Sequence, residues 1–561
     1  MSHRALDMAV ESEFCDFIVV GGGAAGCALA SGLARSKCRP RVSLLEAGSA
    51  NSDPALRDLN NTFTQYNSNS QNWGYKSAPM PHVNNREICM DTGKGLGGST
   101  AINFACWVRG PREEWDEIAR VTGDDCWKWE NVEPRFRRLE NYHHLIKPGV
   151  GAERYCSHGP DAYGVSGPLH LTSQTTRWDT DMIQTADVWE ACGYPLITDM
   201  SVGNYVGILF GPLSGHQGVR STAADLLRGA PPNLKIETDS VVRKILVADG
   251  KAFGVELTNG KVLKCGKEVI LSAGTLSSPQ ILMRSGIGPA HHLIELGIPI
   301  VYANENIGQN LRDHCHVQMH FSVNTNPRIP LYDGPPTGGA AMGFLKNQSA
   351  LSSPEFHSLH ESERQRLSLQ TVPTFEVHHF APAVRLEGMG PTSMMNIFLL
   401  NGQGLGEVKL QSLDPETPPI IRPIFLESEW DKRIVIESTQ EALRIMDHSA
   451  ASKSRDPKAV HICPKTNSEE DILDFWRENL TSTWHMTGTC RIGHTQDEDG
   501  ACVDPDFRVY GIQNLRVVDL SVLPFLPSVH TQSYAYQVGM IAAEKLERQY
   551  GLGTDVSRSM L

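Results

Sequence analysis

Hydrophobic and polar positions alternate on two different periods along this chain, and the change between them divides it. Residues 17–20 are an unbroken apolar run, Phe-Ile-Val-Val, followed by three glycines and an alanine-rich stretch, which predicts a buried strand, a tight turn and a helix. A second apolar run at 42–45 predicts the next strand of a βαβ unit. Residues 241–247 and 252–257 flank Asp249-Gly250 and read as a β-hairpin. Residues 268–274 read as another buried strand, ending in small residues before a helix at 276–283. Between these, 111–144 interleaves charges with Trp115, Trp127, Trp129 and Phe136 and predicts amphipathic helices. A strand is expected within 165–171 and a helix within 180–192. From 317 to about 478 the period changes to two. Short alternating runs at 316–323, 372–380, 396–400 and 407–411 predict an antiparallel sheet, with helices near 430–445 and 469–479. A final strand at 514–519 and a helix at 534–548 close the chain. The polar stretches 49–72 and 147–167 read as surface excursions, and the Gly/Pro-rich 333–339 as a mobile rim.

The expected architecture is α/β and α+β: a Rossmann-like nucleotide-binding domain with an inserted domain built on an antiparallel sheet with helices. Residues 14–316 form mainly the first, with about 165–225 contributing to the second. Residues 317–480 form the substrate-side domain, and 481–550 return to the nucleotide-binding domain.

The first turn carries the chemistry most directly. In Gly21-Gly22-Gly23-Ala24-Ala25-Gly26 the glycines at 21, 23 and 26 form Gly-x-Gly-x-x-Gly. Gly21 permits the sharp turn, Gly23 lets the backbone approach a pyrophosphate, and Gly26 lets the helix pack close to the strand. Glu46 follows the second strand, twenty residues beyond Gly26, where a carboxylate accepts hydrogen bonds from a ribose hydroxyl. These residues specify a dinucleotide without choosing between NAD and FAD. A second glycine cluster, 93–103, is either a flexible linker or a nest of backbone N–H groups for an anion. The small residues at 272–274 offer a third close approach to a ligand.

Composition narrows the partners. The chain has 561 residues, a formal net charge of −13 and no basic face or tail, which argues against nucleic acid. Thirteen cysteines without Cys-x-x-Cys pairs argue against a disulfide framework or structural zinc and suit a reducing compartment. The first thirteen residues lack the charge-then-apolar pattern of a signal peptide. No run reaches the ~20 uninterrupted apolar residues of a membrane span. A cytoplasmic location is expected, with a peroxisomal one as the alternative raised by Ser559-Met560-Leu561. A monomer or homodimer is expected.

Taken together, the motifs identify a resemblance. The chain resembles the glucose–methanol–choline (GMC) oxidoreductases, which are FAD-dependent, from Asp16 to about Leu546. The matching stretches are 93–110, with Leu96-Gly97-Gly98-Ser99 and Asn103; 272–289; 307–314; 484–493; and 519–532. The resemblance implies that Gly21, Gly23, Ala24, Ala25, Gly26 and Glu46 bind the ADP half of FAD, with Val242 near the adenine. It implies that Gly97, Gly98, Ser99, Asn103 and Ala105 run beside the pyrophosphate and flavin, and that Asp519, His530, Thr531 and Gln532 face the ribityl chain and ring. Some members attach FAD through a histidine just before the Asn of the first signature. Ile102 occupies that position here, so FAD is expected to be non-covalent.

Alcohol oxidation by a flavin requires a group that accepts the hydroxyl proton while hydride leaves the carbinol carbon. Histidine does this at neutral pH. By resemblance, His485 is the proton acceptor and His530 the partner that bonds and orients the substrate oxygen. Family members often have Pro after the first of these, where this chain has Met486. Cys106, Trp107 and Trp484 are expected to line the substrate. No metal is expected, since the pairs among His291, His292, His314, His316, His378 and His379 lack further ligands at useful spacing. The expected reaction converts an alcohol CH–OH to a carbonyl, with O₂ or a quinone-like acceptor taking the electrons. The alternative is a member that keeps FAD without net redox, as a lyase or cyclase. No Gly-x-Ser-x-Gly elbow supports a hydrolase.

Overall fold

A computed structural model describes residues 13–553 apart from 60–61, 63–69, 146–151, 157–160, 174–181, 324–339, 387–389, 449–460 and 497–499. The expected rim at 333–339 and the C-terminal Ser-Met-Leu lie outside the described residues, as do parts of the polar excursions.

The glycine turn sits at the edge of a seven-stranded sheet. Strand Glu13–Val20 runs parallel to Val42–Leu45 on one side and to Val262–Leu271 on the other. Leu234–Glu237 extends the sheet beyond Val42–Leu45, and Leu515–Val517 pairs parallel with Val262–Leu271. The hairpin Val242–Ala248 and Lys251–Leu257 is added antiparallel. The parallel strands are apolar on both faces because helices cover them. Phe17, Ile18, Val19, Val269, Ile270 and Leu271 are fully buried. Helix Ala24–Arg35 packs against the last helix, Gln532–Gln549, and glycine makes the approach possible. A Cβ on Gly539 would lie 2.3 Å from the Ala25 carbonyl oxygen. Chain residues more than 500 positions apart thus share one layer. The parallel strands end together at Gly21, Glu46 and Ser272, which makes their C-terminal edge the natural ligand crevice.

The second sheet has six strands, ordered Thr481–Ser482, Cys315–Ser322, Gly390–Leu399, Phe375–Leu386, Ala341–Leu345 and Gly207–Leu209. Its register sorts the residues by face. Val317, Met319, Ile397, Met395, Phe375 and Val377 enter a core with Trp430, Ile434 and Trp476 from helices Glu429–Asp447 and Glu469–Asn479. The intervening residues, among them His316, Gln318, Asn396, Phe398, Glu376 and His378, form the opposite face. His316 pairs with Phe398, which pairs with Glu376.

Two expectations need correction. The alternating run at 407–411 does form a strand, Gly406–Lys409, but in a separate three-stranded sheet with Gln309–Leu311 and Ile420–Arg422. Residues 402–405 have no regular structure and separate this strand from Gly390–Leu399, and Val408 packs with Leu311, Ile421 and Tyr75 instead. The strand expected from 165 begins only at Leu169, because residues 166–168 bend. The helix expected over 180–192 is seen as Ile183–Ala191.

Candidate active site

A cleft of about 870 Å³ runs from the glycine turn to the polar face of the second sheet. The glycine end is built from backbone. Gly21 has φ +109°, and a Cβ there would lie 2.3 Å from the Ser272 carbonyl oxygen. At Gly26 a Cβ would meet the Gly21 carbonyl at 1.9 Å. Gly23 is different: nothing lies within 4 Å of its built Cβ, and the position opens onto the cleft. Gly21, Gly23, Ala24, Ala25, Gly98, Ser99, Asn103, Ala105 and Val242 line this cleft with Glu46, Asp519, Thr531 and Gln532. Gly26 and Gly97 do not. Gly26 serves helix packing, and the Gly97 N–H donates to the Gly22 carbonyl at 2.7 Å, so both support the loop from behind.

The acidic residues are more deeply engaged than the sequence suggests. The Glu46 carboxylate accepts from the backbone N–H of Gly22 (2.8 Å), Gly48 (2.8 Å) and Gly95 (2.9 Å), tying three loops together. A carboxylate has about four acceptor positions, which leaves room for one ligand hydroxyl. Asp519 accepts from the Gly274 N–H at 2.9 Å, the Ser278 hydroxyl at 2.6 Å and the Ser521 N–H at 2.9 Å. The Asn103 amide donates to Gln532 Oε1 at 2.7 Å, and its own oxygen accepts from Arg220 at 2.8 Å.

These features fit an extended dinucleotide. Bare backbone faces the cleft at Gly23 and Gly274, where no atom stands in the place of a Cβ. The Ser272 hydroxyl beside them is buried without a hydrogen-bond partner among the described residues. Backbone N–H groups opening a helix suit a phosphate there.

The far end of the cleft is built from side chains. His485 follows the short edge strand Thr481–Ser482, in a turn that places Trp484 at φ +60°. Buried Asp313 holds this turn. It accepts from the His485 N–H at 2.7 Å and from the Ser482 hydroxyl, and burial raises its carboxyl to about 7. His530 sits on the loop before the last helix. That loop is anchored by Ser528, whose N–H (2.8 Å) and hydroxyl (2.7 Å) both donate to Glu114, itself paired with Arg366 at 2.8 Å in the interior. The two anchors bring the His485 and His530 rings to 5.3 Å, centroid to centroid.

His485 Nδ1 lies 2.9 Å from His314 Nδ1 and 3.2 Å from Thr483 Oγ1. The Thr483 hydroxyl spends its one hydrogen on the His314 carbonyl at 3.0 Å, so toward His485 it is an acceptor. A hydrogen on His485 Nδ1 serves both contacts at once, and that tautomer leaves Nε2 its lone pair. Burial first, then His314 and His530, hold His485 well below its ordinary value. His314 itself is pushed down to about 3, chiefly by burial. His485 is thus a neutral imidazole across the physiological range.

Glu376 was not singled out from the sequence, and His378 was weighed there only as a metal ligand and set aside, yet both belong here. Glu376 Oε1 lies 3.0 Å from His530 Nε2 and 2.6 Å from His378 Nε2. Burial opposes its charge, but His530 and His378 outweigh burial and hold the carboxyl well below the usual range. The only sequence signal was strand alternation, which put both residues on one face.

Of the expected substrate-lining residues, Cys106 and Trp484 reach the cleft and Trp107 does not. The Trp107 ring is fully buried against Phe136 and Tyr536, and its N–H donates to Glu140 at 3.0 Å. Its hydrophobic bulk is used in the core. Burial, then the nearby Glu376 charge, pushes the Cys106 thiol up to about 12, so it carries little thiolate at neutral pH.

The sequence profile of the GMC oxidoreductases matches residues 15–316 with its N-terminal part and 403–539 with its C-terminal part. The chain is 31% identical over 555 residues to an oxygen-dependent choline dehydrogenase of Sinorhizobium fredii, covering 95% of each. It is 28% identical over 556 residues to an alcohol dehydrogenase (acceptor) of Pseudomonas putida, covering 96% of this chain and 97% of that one. Its fold matches a formate oxidase of Aspergillus oryzae, solved to study FAD modification, with a TM-score of 0.82 at 23% identity over 96% and 99% of the two chains. From the profile that spans most of its length and from relatives aligned almost end to end, the chain belongs to the GMC oxidoreductase family.

Proposed function

We propose that this protein oxidises the CH–OH group of a primary or secondary alcohol to a carbonyl, with non-covalently bound FAD and with His485 as proton acceptor. The observation that carries the reading is the pairing of a buried His485, bonded through Nδ1 to His314 and held neutral by burial, with His530 at the end of the cleft opposite the glycine turn. The alcohol and choline chemistry of the relatives supports the substrate class.

FAD, when bound, supplies the acceptor for the electrons and the carbinol hydrogen. The protein does the rest. Gly21, Gly23, Ala24, Ala25 and Glu46 hold the dinucleotide end, and Gly98, Ser99, Asn103, Ala105, Asp519, Thr531 and Gln532 shape the path toward the histidines. His485 Nε2 accepts the hydroxyl proton. His530, held by Glu376, bonds and orients the same oxygen. Trp484 and Cys106 form part of the wall. Ile102 lines the cleft at the position of the family's attachment histidine and has no atom that bonds a flavin. The final electron acceptor under this reading would be O₂ or a quinone-like compound.

Anaerobic mixing of the FAD-loaded protein with a panel of alcohols tests the reading. Bleaching of the flavin band near ~450 nm is expected with at least one alcohol. Conversion of a substrate without bleaching would replace the redox reading by a lyase or cyclase. Acid precipitation should leave the yellow colour in the supernatant; colour in the pellet contradicts non-covalent binding.

A further inference from the structure

We propose that Glu376, His378 and His530 form a binding site for a borderline divalent metal ion, Zn²⁺ in the first instance, in the wall of the cleft. Glu376 and His378 stand two residues apart on strand Phe375–Leu386 and so share a face. His530 arrives from a loop more than 150 residues later. Both imidazole Nε2 atoms converge on one oxygen, Glu376 Oε1, at 2.6 and 3.0 Å, and one ligand atom from each residue lies within 4.8 Å of the others. The second oxygen, Oε2, is buried without a hydrogen-bond partner among the described residues.

The donor set selects the ion. Two imidazoles and a carboxylate suit Zn²⁺, Cu²⁺, Ni²⁺ or Fe²⁺, whereas Mg²⁺ and Ca²⁺ prefer oxygen alone. Metal–ligand distances of about 2.0–2.2 Å in a tetrahedral site set the ligand atoms about 3.3–3.6 Å apart, so both N···O gaps, the His378 one most, must open by a side-chain shift on the order of 0.5–1 Å. Three protein ligands leave a fourth position, and His378 and His530 both border the cleft from which water or a hydroxyl would fill it. Binding exchanges the protons shared between Glu376 and the two imidazoles for the ion, and no electron moves. One consequence rests on the proposed function: an ion here takes His530 away from the substrate oxygen and acts as a reversible inhibitor.

The FAD-loaded protein titrated with ZnCl₂ by calorimetry, and with CoCl₂ by visible difference spectra, tests the site, with MgCl₂ as control. One Zn²⁺ per chain is expected, with proton release, an affinity that falls as pH falls, Co²⁺ bands of low coordination number, and no Mg²⁺ binding. Zn²⁺ should bind at least ~10-fold more weakly to His378→Ala and to Glu376→Gln. Absence of stoichiometric Zn²⁺ binding, a pH-independent affinity in the wild type, or equal affinity in both variants overturns the site. If either variant fails to fold, the wild-type pH dependence and Co²⁺ spectrum still decide. Zn²⁺ bound at these residues with turnover unchanged would leave the site standing and contradict the role given to His530.

Discussion

The two ends of the cleft are made of different material. The glycine end is backbone: a turn that only glycine fits, three amides gathered by Glu46, and two places where a missing Cβ leaves room for a ligand. The histidine end is side chains, brought from four stretches of the chain and held by buried carboxylates, Asp313 beneath His485 and Glu376 beside His530. On the proposed function, the first end binds through shape and the second acts through proton placement. Substitutions should therefore separate the two: changes at the glycine end lose cofactor, and changes at the histidine end lose rate while keeping it.

The largest break is expected from Gly21→Ala. Its Cβ would overlap the Ser272 carbonyl, and φ +109° is a conformation that L side chains rarely adopt. The purified variant should retain almost no flavin after gel filtration, by absorbance ratio, or fail to fold by circular dichroism. Full flavin retention would remove the contrast. Next, Glu376→Gln should keep FAD and lower kcat/KM by roughly ten-fold or more, because His530 loses the charge that orients it; steady-state kinetics beside the flavin spectrum read both. A smaller effect concerns pH. Since burial, His314 and His530 keep His485 neutral, the acidic limb of kcat/KM should lie below the ordinary histidine value of ~6.5. A wild-type limb already at 6.5 would contradict the assignment.

The smallest effect is on stability. Burial pushes His316, on the cleft face, down to about 3. A base with a lowered folded pKa is neutral in the native state, so between about 3 and the ordinary value the unfolded chain binds more protons. Its contribution is complete above ~6.5 and is lost as pH falls toward 3. Denaturant melts of His316→Asn should show a shallower acid loss than the wild type over that window.

The same contrast decides what the sequence reveals. The strand–glycine–helix unit and Glu46 were legible because backbone requirements are local: a tight turn needs glycine where it occurs, whatever the rest of the chain does. His485 and His530 were legible only through resemblance, since a lone histidine carries no local signature of its use. Glu376 was hidden for a further reason. Its role depends on the register that sets Phe375–Leu386 beside Gly390–Leu399 and on a loop arriving from residue 530, and alternation shows a polar face without saying what meets it. Trp107 fails in the opposite direction. It lies in a signature that passes the cleft, but a one-residue step along an extended chain reverses the side chain, so Cys106 faces the cleft and Trp107 the core. Glu46 and Asp519 were read as ligand-facing groups, yet the backbone amides they collect show that they also hold the loops in place.

The central claim is that His485 Nε2 takes the alcohol proton in a site whose cofactor is held elsewhere. Anaerobic stopped-flow reduction of wild type and His485→Ala, at matched FAD occupancy and saturating alcohol, tests it most directly. The account predicts an unchanged flavin content and a reduction rate lowered by at least ~10²-fold in the variant. A variant that keeps its flavin and bleaches at close to the wild-type rate would contradict it.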